Sequence, residues 1–333
     1  WEPILNETRY PADFAHNARA LVKRETRAPN YCACDKIAGD SSEYDIIYTR
    51  DENEERPHFI REWGDCPDDW CAQNSPSRVP IEWGEGPMLV QAEHYCDVDY
   101  FICHEQILRR SSALSGACMW HGADHSRGYH PDNFFGGVLT YTRRPKYSYY
   151  ACKSMLTDEP YVFLAHQLAP ASPMAFTIYS NCAYRATYLG REVRNGEAFD
   201  RVGLKRKAMA CAYPPKGAKP DPRELDFVLT LADGTAVTNR HAGRFAKIAL
   251  ACDTEGWPVI GDGSDLVACS AVMCDAAGRP RRYQSEDVRF AVEGPAQIVG
   301  ENPQRTRWGE ATVLIRPLAP GEIRVKAAPV RAG

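Results

Sequence analysis

The chain has 333 residues, 44% hydrophobic and 25% charged, which suits two or three globular domains and gives no reason to expect disorder. Its formal net charge is -4, with acidic and basic residues mixed along the length, so it lacks the concentrated basic stretch that a nucleic-acid partner requires. No apolar run approaches the ~18 residues of a membrane span, so no membrane partner is expected either.

The first 157 residues alternate short apolar runs with helical periodicity. Trp1 to Asn6 is a predicted strand that ends in Asn6-Glu7. A helix is predicted over residues 11–25, with Pro11 at its first position, Asp13 in its first turn, and Phe14, Ala18, Leu21 and Val22 on one face. Strands follow over 30–34, 44–49 and 58–62, a longer helical stretch after Pro87, a strand over 117–120, and a helix over 146–155. Such alternation predicts a parallel α/β sheet.

From about Asp158 the period changes to two. Phe227, Leu229 and Leu231 alternate with polar neighbours up to an Asp233-Gly234 turn, and Val267, Cys269, Ala271 and Met273 repeat the pattern. The lengths predict two β-sandwiches of ~90 residues, over 158–252 and 253–333. The Pro/Gly-rich run 213–222 reads as a long loop in the first of them.

The 13 cysteines are scattered and match no compact disulfide framework. Cys103-His104 and His94/Cys96 lack a second pair beside them, so they are read as buried hydrophobes or reduced thiols rather than metal ligands. Reduced thiols point to a cytoplasmic protein, and no metal or cofactor is expected. No basic n-region with an apolar h-region is visible after Trp1.

Two carboxylates stand out because each closes a predicted parallel strand: Glu7 and Glu62. The C-terminal ends of such strands gather at one mouth. There, two facing carboxyls ~5–5.5 Å apart perform glycoside hydrolysis with retention. A strand-terminal Glu that merely caps the next helix is the alternative.

The runs WEPILNETRYP, FIREWGD, GACMWHGADHSRGYHPD and RRPKYSYY, in that order, resemble glycoside hydrolase family 2, especially its β-galactosidase-like members. The resemblance implies an incomplete (β/α)8 TIM barrel, holding about the fourth to eighth strands, followed by two immunoglobulin-like domains, all as the C-terminal part of a longer enzyme. It implies a retaining exo-acting β-galactosidase, with Glu7 as acid/base and Glu62 as nucleophile, and a β-linked glycoside as substrate. Homo-oligomerisation of the full-length enzyme is compatible with it. Asn6 should bind the sugar 2-hydroxyl, and Trp120 should form the platform beneath the sugar ring. Tyr48 either holds Glu62 anionic or packs in the core. Trp63, His121 and Asp124 should line the pocket. Glu82, Glu85 and Glu93 are read as surface or capping residues. The rivals are a β-glucuronidase, β-mannosidase or β-arabinopyranosidase of the same architecture, or a non-catalytic carbohydrate-binding or spacer module.

Overall fold

The computed structural model describes residues 11–26, 32–35, 44–49, 51, 54–63, 78–95, 113–119, 122–126, 133–196, 209–216, 226–254 and 256–330, with main chain alone at 12, 35, 61–63 and 209. The strand expected over Trp1–Asn6 lies outside them.

Helix α1 (Ala12–Glu25) starts after Pro11, which occupies the N-cap position, one residue earlier than expected. Asp13 in its first turn and Lys23 and Arg24 in its last complement the helix dipole. Its buried stripe matches the expected one only in part. Phe14 and Leu21 are 48% and 49% exposed, while Ala15 is buried and Ala18 and Val22 pack beside it, against Cys32, Cys34, Tyr44 and Ile47. The Tyr44 hydroxyl donates to the Ala15 carbonyl at 2.9 Å, and a large side chain there would hold the helix away from that contact.

Four parallel strands form one sheet in the order β1 (Ala33–Asp35), β2 (Ile46–Tyr48), β3 (His58–Trp63), β4 (Leu114–Met119). Ile47 and Ile60 are buried at its centre. After β3, a 3-10 turn over Ile81–Trp83 leads through Gly84, at φ +88°, into α2 (Glu85–Tyr95). The helix starts before Pro87, which sits in the first turn, where a missing N–H costs no intrahelical bond. Beyond β4, the short pair β5 (His125–Ser126) and β6 (Asn133–Phe134) precedes α3 (Tyr147–Leu156). Helices α2 and α3 share a core of Met88, Ala92, Tyr147, Ala151 and Met155, and Ala165 and Tyr179 of the next unit join it.

Among the described residues the rest is antiparallel β-structure, and the helices all precede it. The first sandwich pairs a sheet ordered β11-β8-β7 with one ordered β10-β9-β12-β13. These strands are β7 (Val162–Ala165), β8 (Phe176–Ser180), β9 (Tyr184–Tyr188), β10 (Arg191–Gly196), β11 (Met209–Ala212), β12 (Asp226–Leu231) and β13 (Ala236–Arg240). Leu164, Phe176 and Ile178 of one sheet meet Ala186, Phe227 and Leu229 of the other. Gly234, at φ +86°, supplies the left-handed residue of the β12–β13 turn.

The second sandwich pairs β14-β15-β19-β17 with β18-β16-β20. Its strands are β14 (Phe245–Cys252), β15 (Val267–Asp275), β16 (Asp287–Glu293), β17 (Ala296–Val299), β18 (Gln304–Arg305), β19 (Glu310–Pro317) and β20 (Arg324–Pro329). Strand β14 is hydrogen-bonded to β15 over most of its length, so it belongs to this unit. The division expected after residue 252 would part this strand from its partner. Cys252 and Cys269 face each other in that register and form a disulfide, which corrects the expectation of reduced thiols throughout. Their separation of 17 residues carries no signal until the strand pairing is known.

Candidate active-site edge

The four parallel strands run the same way, so their C-terminal ends share one edge, and loops at that edge are where such sheets place their chemistry. Glu62 and Trp63 are the last two residues of β3. Tyr48 is the last residue of β2 and is in register with Phe59, three positions ahead of Glu62. The two rings lie 6.2 Å apart at a 58° tilt. Tyr48 and Glu62 therefore sit on adjacent strands at the same end. Asn6, Glu7, Trp120 and His121 lie outside the described residues.

The segment after β4 is tied down by a buried ion pair. Lys146 Nζ donates to the Asp124 carboxylate at 2.7 Å, to the Val79 carbonyl at 2.7 Å and to the Phe135 carbonyl at 2.8 Å. Both side chains are essentially without solvent contact. Asp124 Oδ1 also accepts the Gly137 N–H at 3.0 Å. Burial pushes the Asp124 carboxyl up to about 6, against the pull of Lys146, and burial likewise pulls Lys146 down against Asp124. A Cβ on Gly137 would fall 2.2 Å from the Asp124 nitrogen, so only glycine allows this approach. The backbone closes the same knot, since Asp124 N donates to Leu139 O at 2.9 Å and Leu139 N to Gly122 O at 3.2 Å. Asp124 is expected to line the pocket; its carboxylate is engaged by Lys146 and Gly137. Lys146 was read only as the start of a helix. A cation at a helix N-terminus opposes the dipole, and that misfit is the sequence signal for a buried partner.

Glu85, expected to be a surface or capping residue, is 1% exposed. Its carboxylate accepts four hydrogen bonds: from Tyr147 OH at 3.0 Å, the Gln167 N–H at 2.8 Å, Ser172 Oγ at 2.5 Å and Tyr283 OH at 2.6 Å. Those donors come from α3, from the first sandwich and from the second. Burial and the adjacent carboxylate raise both tyrosine hydroxyls well above their ordinary values, so both remain donors.

No sequence-family profile matches the chain. A curated relative, "Beta-galactosidase" of Thermoanaerobacter pseudethanolicus, is 25% identical over 240 residues, which is 64% of this chain and 32% of that protein. Among solved structures, "a beta-glucuronidase from glycoside hydrolase family 2" superposes with a TM-score of 0.69 at 17% identity, over 99% of this chain and 38% of that one. A β-glycosidase from Bacteroides vulgatus gives the same score and identity, over 99% and 49%. The chain thus spans about a third of the curated relative and less than half of these structures. The chain is thus similar in sequence to a β-galactosidase and shares its fold with glycoside hydrolase family 2 structures, over a stretch that is only part of the proteins it matches.

Proposed function

We propose that the protein carrying this sequence is a retaining β-galactosidase in which Glu62 is the nucleophile and Glu7 the acid/base. One observation carries the reading: Glu62 is the penultimate residue of the inner parallel strand β3, on the edge where Tyr48 closes its neighbour. Attack on an anomeric carbon needs an ionised carboxylate, and a phenol one strand away can hold it so by hydrogen bonding. Glu7 then delivers the proton to the leaving oxygen and afterwards activates water. In this reading Asn6 binds the 2-hydroxyl, Trp120 carries the sugar face, and Trp63 and His121 line the pocket. Asp124 serves as the anchor of the segment after β4. The parallel sheet is taken as part of a (β/α)8 barrel, and the two sandwiches as immunoglobulin-like domains. The choice of β-galactoside follows the curated relative; β-glucuronide is the second reading, after the solved structure of that name.

The test uses the whole protein. Glu62→Gln should lower turnover of an aryl β-galactoside by several orders of magnitude. Azide should rescue Glu62→Gly and give product of inverted configuration. Full activity in Glu62→Gln rejects the nucleophile assignment, and a panel of nitrophenyl galactoside, glucuronide, mannoside and arabinopyranoside fixes the sugar. We also propose a cytoplasmic location, on the buried free thiols Cys32, Cys152 and Cys274. The Cys252–Cys269 disulfide runs against it, and thiol counting on protein from freshly lysed cells decides.

A further inference from the structure

Where the parallel-sheet region and the two sandwiches meet, they line a partly open cavity of about 640 Å3. That size falls within the range that holds a small organic ligand, ~300–1,000 Å3. Its lining residues come from the segments that follow β3 and β4 and from the two sandwiches, and none from β1–β4 themselves.

Its charge is unbalanced at one point. Arg144 and Arg282 both pair with a single carboxylate, Glu310, Arg282 at 3.4 Å. Glu310 is 8% exposed, whereas the two arginine side chains are 39% and 28% exposed. The other arginines on the wall have carboxylates of their own: Arg307 has Glu82, Arg279 has Asp275, Arg305 has Asp287 and Arg240 has Asp226. Two guanidinium groups on one carboxylate leave one positive charge uncompensated. Planar guanidinium donors suit a second carboxylate or a sulfate.

The remaining wall suits a ring with hydroxyls. The Tyr141 ring is 45% exposed, and Arg307 lies over it 5.7 Å from the centroid. Thr238, Asn239 and Gln304 add hydrogen-bonding groups.

We propose that this junction cavity binds an acidic sugar, its anionic group held by Arg144 and Arg282 and its ring laid against Tyr141. Isothermal titration of the full chain with D-galacturonate, D-galactose 6-sulfate and D-galactose tests it. At least one acid should bind saturably, with the neutral sugar at least tenfold weaker. Arg282→Met should weaken the acid about tenfold, and Arg282→Lys, which keeps the charge but loses the planar fork, should fall between. A thermal melt of each variant verifies folding, and if the Met variant fails to fold the Lys variant is read in its place. Binding of one acid alone identifies carboxylate or sulfate as the group recognised. No binding of either acid, equal binding of all three sugars, or acid affinity indifferent to the Arg282 substitution overturns the proposal.

Discussion

Lys146 is a cation that has exchanged water for two backbone carbonyls and one carboxylate. Removing it leaves Asp124 buried without its counter-charge, so Lys146→Met should lower stability at neutral pH by about 3–5 kcal/mol. Adding Asp124→Asn should return much of that loss, because the unpaired charge goes with it. Urea denaturation of both single variants and the double variant measures the coupling; strictly additive losses would contradict it. The pair also sets a pH dependence. Unfolded, Asp124 releases its proton near 3.8; folded, it keeps it to about 6. Between those values the folded state holds the extra proton, so this group lowers stability as pH rises through the window. In Asp124→Asn that decline should be absent.

Helix α1 shows what a substitution reads at the level of an element. Ala15 lies where the helix touches the sheet and Leu21 lies outside. Ala15→Leu should cost about 1–3 kcal/mol by overpacking, while Leu21→Gln should stay within about 0.5 kcal/mol. Thermal denaturation of the two variants separates them, and the reverse order would mean that the stripe containing Phe14 and Leu21 is the buried one. Hydrophobic spacing located this helix but set its face off-centre, taking in Ala18 and Val22 yet missing Ala15, because large side chains outweigh small ones in any periodicity while close contact favours alanine. Alternation succeeded for β12 and β15, whose inward residues are apolar at every second place. It gave no reading of β14, an edge strand exposed along most of its length that pairs with β15. At the site, the strand ending at Glu62 was legible, since a β-run stops there. Lys146 and Glu85 were not, because a charged residue at a helix start usually faces water, and only the tertiary contacts show that these two do not.

Taken as a whole, the molecule is joined by carboxylates at its seams. Glu85 links α2 to both sandwiches, and Glu310 links Arg144 of the α/β region to Arg282 of the second sandwich. Tyr283→Phe removes one of the four donors to Glu85 and should cost about 1–2 kcal/mol. Glu85→Leu removes the acceptor for all of them and should split the melting of the three units into separate calorimetric transitions. A single unchanged transition in Glu85→Leu would show that the seams are held by apolar packing alone.

The donors to Glu85 are spread far along the chain, the last of them 198 residues downstream. A ribosome adding ~5–20 residues per second needs roughly 10–40 s to reach it. Throughout that interval the nascent α/β portion waits with an acidic side chain that has no finished home, and for those seconds it depends on solvent or chaperones for protection. Rare codons placed between the two positions would lengthen the exposure without changing a single amino acid.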